Sequence, residues 1–229
     1  MTLSQVLKRL KAKGSKRAIE GMARYGITST KAYGVSAPDI RNIAREIGTD
    51  HALSLRLWST GILEARAVAT LIGDSGRVTE RQMERWVKDL DSWAVCDACC
   101  GNLFDKTSFA YRKAHEWSGR DEEFVKRAGF TMMAELAVHD KGASDRRFLK
   151  MLPAIKRGST DARNFVKKAV NWALRQIGKR NRALNRSAVA TAREISSLDS
   201  SAARWVAADA LRELLSTAVQ HRLRRTGLR

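Results

Sequence analysis

The sequence predicts an all-α fold, and three observations predict it. Apolar residues recur at helical rather than strand spacing, and no segment keeps the period-two alternation of a half-buried strand. Only two prolines, Pro38 and Pro153, interrupt 229 residues. The breaks between periodic segments are short and carry the chemistry of turns and caps. With 44% hydrophobic residues the chain has enough apolar side chains for a real core, which excludes a disordered basic tail.

The N-terminal segment Met1 to Lys16 has no long apolar run and no cleavage-site pattern, so no signal peptide is expected. Met22-Ala23-Arg24-Tyr25 reads as a helix end. In Tyr33-Gly34-Val35-Ser36-Ala37-Pro38 the serine is placed to cap a helix opening near the proline. Gly73-Asp74-Ser75-Gly76, Ser118-Gly119-Arg120-Asp121 and Arg157-Gly158-Ser159-Thr160-Asp161 are turns that precede new helices. Asp91 or Ser92 can cap the helix that starts at Trp93. Phe124, Ala128, Met132 and Leu136 line one face, as do Phe165, Ala169, Trp172, Ala173 and Ile177, and then Ala203, Val206, Ala207, Ala210 and Leu214. Roughly a dozen helices of about 10–18 residues result, forming one body over 1–229 with a basic tail at 222–229 free to flex. Many short amphipathic helices suit a globular bundle or a solenoid, and no strict repeat decides between them. Stacked helix pairs would give a concave surface wide enough for a duplex.

Charge is the loudest signal. The formal net charge is +19, from 43 Lys and Arg against 24 Asp and Glu. Residues 1–140 hold 22 basic and 18 acidic side chains, whereas 141–229 hold 21 and 6. A merely basic, soluble surface would spread its excess evenly; this asymmetry points to a phosphate-binding region.

Cys96, Cys99 and Cys100 are the only cysteines. Their odd number and crowding exclude a disulfide framework, and no His or second Cys pair at zinc spacing follows, so no metal is expected and buried thiols on a helix are the reading. His51, His115, His139 and His221 show no metal-binding pairing. No stretch of about 18 apolar residues exists, so no membrane span is expected. A reducing cytoplasm, with the protein on the nucleoid when bound to DNA, fits these features.

Four segments place aromatic or charged residues where a plain core helix does not need them. Trp93 and Asp97 lie four apart on one helical face amid small apolar residues, and a carboxylate there either is hydrogen-bonded structurally or faces a cleft. Arg127 lies one turn beyond Glu123, the spacing of a weak surface ion pair. From Phe165 through Arg175, with Lys167, Lys168 and Trp172 between, aromatics and cations interleave; Arg163 just precedes them. That pattern suits phosphate contact with stacking, or a solvated lysine face. The fourth segment joins Tyr25 to Ser36 and Pro38.

These segments together resemble the AlkD-type DNA alkylation repair glycosylases, a family of HEAT-like helical-repeat proteins. The likeness runs in order through Met22-Ala23-Arg24-Tyr25, Leu57-Trp58 with Glu64-Ala65-Arg66, Trp93 with Asp97, Arg127-Ala128, and Lys168-Ala169 with Trp172-Ala173-Leu174-Arg175. The resemblance implies a curved solenoid of antiparallel helix pairs gripping duplex DNA on a basic concave face, and hydrolysis of the N-glycosidic bond of cationic N3- and N7-alkylpurines without a cofactor. It places the catalytic carboxylate on Asp97, the cleft tryptophans on Trp93 and Trp172, and the phosphate-clamping arginine on Arg127. Tyr25 and Ser36 to Pro38 fall in the part facing the undamaged strand, where a family example carries Gln-Thr-Pro and this chain reads Ser36-Ala37-Pro38. Arg163, Phe165, Lys167, Lys168 and Arg175 are the further DNA contacts expected. The partner is double-stranded DNA with alkylated bases, met by a monomer. Two other readings stand beside it: a non-catalytic helical-repeat binder of damaged or branched DNA, and a scaffold for an acidic protein.

Overall fold

A computed structural model describes residues 1–27, 29 and 31–226. Among these residues every regular element is helical, and the helices gather into two compact units, Met1–Thr107 and Ser108–Arg229. Where the sequence suggests about a dozen helices, fifteen α-helices are present among the described residues. The surplus comes from pieces too short to show a period.

The first unit holds α1 (Leu3–Ala12), α2 (Lys16–Arg24), α3 (Ala37–Ile47), α4 (His51–Trp58), α5 (Leu63–Ile72), α6 (Glu80–Lys88) and α7 (Trp93–Asn102). Short 3₁₀ turns sit at Ser75–Arg77 and Phe104–Lys106. Side-chain caps explain most of the starts. Thr2, Ser15, Ser36, Asp50, Thr79 and Ser92 each accept a hydrogen bond from a backbone N–H in the first turn of the following helix. Trp58 stacks flat on Trp86 with ring centroids 3.9 Å apart, and Phe104 packs against that pair. Arg66 lies over the Trp58 ring and donates to the Asp89 carbonyl, while Trp58 Nε1 donates to the Asp89 carboxylate. Leu57-Trp58 and Arg66, which carry part of the family likeness, are thus core and core-bracing residues. Helix α2 differs from the rest, since it buries no residue fully.

The second unit holds α8 (Ala110–Ser118), α9 (Glu123–His139), α10 (Asp145–Leu149), α11 (Leu152–Gly158), α12 (Asn164–Gly178), α13 (Arg182–Ser196), α14 (Ser201–Leu214) and α15 (Thr217–Thr226). Short loops join α8 to α9 and α13 to α14, which makes each pair neighbours. Helix α9 packs against both α8 and α12 and is buried along most of its length, from Val125 to Ala137. Phe130, Trp117 and Phe148 are fully buried in this core. The segment from Arg222, expected as a flexible tail, is helical through Thr226 and buries Leu223; residues 227–229 lie outside the described ones. No helix among the described residues is long and apolar enough to cross a membrane.

Candidate functional site

In the first unit the site begins with α7. Ser92 caps it by accepting from the Val95 N–H, so Trp93 opens the first turn and Asp97 sits one turn on. Val95, Cys96, Cys99 and Cys100 are buried, while Trp93, Ala94, Asp97 and Ala98 are only half-buried. The helix therefore turns its thiols inward and its indole and carboxylate toward a less covered face. Trp93 Nε1 donates to the Tyr25 carbonyl at 2.9 Å, which fixes the indole against the end of α2. Tyr25 is 74% exposed, so its phenol ring lies open beside that anchor.

A groove of about 300 Å³ adjoins this face. Ala94 and Ala98 of α7 form one wall, with Met22, Ile40 and Leu71 among the apolar residues opposite and Arg41 and Asn102 supplying polarity.

The loop before α3 is held by an acid that sequence reasoning did not single out for this role. Glu64 is fully buried, and its carboxylate accepts from three consecutive amides: Tyr33 N at 2.9 Å, Gly34 N at 2.7 Å and Val35 N at 3.2 Å. Gly34 has φ +76°, and a Cβ there would run into the Ser15 carbonyl. Only glycine lets the three N–H groups converge in this way. The carboxylate inside the apolar run from Leu63 to Ala69 was the sequence signal for it. The loop delivers Ser36, Ala37 and Pro38, all exposed, to the start of α3, where Ser36 Oγ accepts from Asp39 N as the sequence suggests.

The second unit holds the other expected contacts. Arg127 is 5% exposed, and its Nη1 donates to the Phe165 carbonyl at 2.7 Å, tying α9 to the start of α12. Phe124 and Phe165 stack beside it with centroids 5.6 Å apart. Arg163 grips Asp161 through Nε and Nη2 and donates to the Asp121 carbonyl. Those bonds hold the Asp161 carboxyl down at about 2. Arg175 contacts Glu213 at 2.5 Å and Asp209 at 3.5 Å. These three arginines, expected to meet DNA, stand within protein networks. The lysines of the same helix differ: Lys168 is exposed, and Lys167 lies 4.9 Å from the Trp205 ring centroid. Trp172 is half-buried on α12 between Asn171 and Ala173, both buried. Sequence reasoning gave Trp205 no place, although its 40% exposure marks it as an aromatic left at the surface beside a cation.

Among the described residues no group of three or more His, Cys, Asp or Glu could hold a metal ion.

Comparison with known proteins bears on the fold and the family. No curated protein matches the chain significantly. A solved structure, described as a new family of proteins related to the HEAT-like repeat DNA glycosylases with affinity for branched DNA structures, superimposes with a TM-score of 0.78. It is 20% identical, and the match covers 97% of this chain and 96% of that one, which fixes the all-helical, HEAT-like fold. The DNA alkylation repair enzyme family matches residues 6–214. With nearly the whole chain spanned by that match, the protein belongs to the DNA alkylation repair enzyme family.

Proposed function

We propose that this protein is a DNA glycosylase that hydrolyses the N-glycosidic bond of cationic N3- and N7-alkylated purines in duplex DNA, acting as a monomer in the cytoplasm. The observation that carries the reading is the half-buried face of α7, where the Trp93 indole is pinned by the Tyr25 carbonyl one turn from Asp97. An alkylated purine already bears positive charge, so it leaves without being protonated. As the C1′–N bond breaks, its electron pair neutralises the purine and the sugar becomes oxocarbenium-like. An ionised carboxylate stabilises that charge and orients a water molecule. The water oxygen bonds to C1′, and its proton passes to the carboxylate and then to solvent.

Asp97 is assigned the carboxylate role, and Trp93 and Trp172 are assigned the role of indoles whose faces favour polarised sugar C–H groups and a cationic base. Lys167 and Lys168 supply phosphate contacts at the surface. Arg127 reaches a phosphate only if it adds this to its bond with the Phe165 carbonyl, so its part is to set the start of α12, with phosphate contact secondary. Tyr25, Ser36 and Pro38 are exposed where contact with the undamaged strand is proposed.

Asp97→Asn is expected to lower base release from a methylated duplex by at least a thousandfold while duplex affinity changes less than threefold. Equal loss of both would remove Asp97 from the chemistry. A second reading is favoured by the structural relative's affinity for branched DNA: binding of branched or damaged DNA without excision. It predicts normal binding and no base release by the unaltered protein.

A further inference from the structure

The second unit contains a cavity of about 560 Å³ that the excision reading does not use. It forms where the C-terminal ends of α9 and α12 meet the start of α13 and one face of α15. Ala137, Lys141, Lys179, Arg180, Asn181 and Arg222 are among the residues lining it. Cations converge there. Lys141, Lys179, Arg180 and Arg222 line the cavity, and the only acid in its wall is Asp145, already held by Asn181 Nδ2 at 2.8 Å. The wall thus holds four cations and one carboxylate, and Lys179 is also paired with Glu213 at 2.6 Å.

The negative ends of two helices meet here and would ordinarily repel an anion. Both are covered. Arg180 donates to the Ala137 carbonyl at 2.7 Å and to the Ala143 carbonyl at 3.3 Å, and Arg222 donates to the Lys179 carbonyl at 3.2 Å. The positive end of α13, capped through Asn181, also opens at this wall. Arg180 is locked in place by the Phe148 ring, 4.0 Å from its guanidinium, yet its Nε is buried with no hydrogen-bond partner. A buried guanidinium N–H without an acceptor is costly, so the Arg180 cation is held at this wall by its two carbonyl bonds and the Phe148 ring in spite of that cost.

We infer that this cavity binds a phosphate group, carried either by a nucleic-acid strand or by a free di- or triphosphate. The site is distinct from Arg127 and Lys168, although Arg175, another expected DNA contact, precedes Gln176 of its wall and shares Glu213 with Lys179. Val138 is eleven residues beyond Arg127 on α9, and Lys179 is eleven beyond Lys168, at the end of α12, so each end is about 16 Å along its helix from those residues. That distance equals about five nucleotide steps of a duplex strand, enough for a phosphate well away from any excised base.

Pyrophosphate is the probe. Titrated into the full-length protein, it is expected to shift the amide resonances of residues 176–183. Lys141→Glu, in an exposed turn that tolerates substitution, weakens this binding about tenfold, and Arg222→Gln weakens it less. In parallel, the dependence of duplex affinity on salt is measured for the same variants. A slope reduced by about one in Lys141→Glu assigns the site to a strand phosphate. An unchanged slope with lost pyrophosphate binding assigns it to a free phosphate-bearing ligand. Amide resonances that stay still in pyrophosphate, together with unchanged slopes, overturn the inference, as do pyrophosphate shifts and slopes that the two variants leave intact. Base release by the unaltered protein is scored separately, so an inactive glycosylase and an empty cavity give different results.

Discussion

Single carboxylates do more at the residue scale than their positions in the sequence suggest. Glu64 gathers three buried amides and so sets the loop that presents Ser36 and Pro38. Glu64→Ala leaves those donors without acceptors and is expected to destabilise the protein by about 3 kcal/mol or more, whereas Glu64→Gln keeps one acceptor oxygen and costs less; urea unfolding measures both. Asp161 works through charge instead. Its folded pKa is pressed to about 2, chiefly by the Arg163 hydrogen bonds, from an ordinary value near 4. A lowered folded pKa stabilises the protein above the unfolded value and loses that contribution as pH falls through the folded one. Stability should therefore decline between about pH 4 and pH 2 by on the order of 2 kcal/mol, and Asp161→Asn should flatten that part of the acid-unfolding curve. The i, i+4 pairing of Trp93 with Asp97 was legible in the sequence because it is local. The burial of Arg127 was not, because the carbonyl that holds it belongs to Phe165, 38 residues away.

At the scale of helices, periodic spacing was enough to find α9, α12 and α14, whose apolar faces repeat over several turns. It did not resolve α10 and α11, which span five and seven residues and hold too few turns for a period to show. Arg175 illustrates the same limit for the candidate site. Its position on the cationic side of α12 was evident, but its carboxylate partners Asp209 and Glu213 come from α14. Close helix contact also depends on single small residues. A methyl at Gly129 would collide with the Ser118 backbone, the far end of the α8–α9 turn. Since backbone cannot step aside as a flexible side chain does, Gly129→Ala is expected to lower stability by about 2–3 kcal/mol, seen as a fall in the denaturation midpoint.

The whole molecule divides its charge unequally: residues 108–229 hold 26 Lys and Arg against 12 Asp and Glu, and residues 1–107 hold 17 against 12. That asymmetry was readable from composition, yet composition does not distinguish cations open to phosphate from those already matched. The structure separates them, with Arg163 and Arg175 in acid networks and Lys168 at the surface. Replacing Lys167 and Lys168 together by alanine is expected to weaken duplex binding at low salt and to reduce the slope of log affinity against log salt by up to about two. Binding assays across a salt series check this, and an unchanged slope would take both lysines off the DNA.

The inward-facing cysteines of α7 bear on survival under chemical stress. Burial drives the Cys99 and Cys100 thiols well above their ordinary pKa, so they stay protonated and out of reach of solutes. A protein that meets DNA after attack by electrophiles shares its surroundings with those reagents, and a thiolate would be their first target. Packing the sulfur atoms beneath the helix keeps that target away from such reagents.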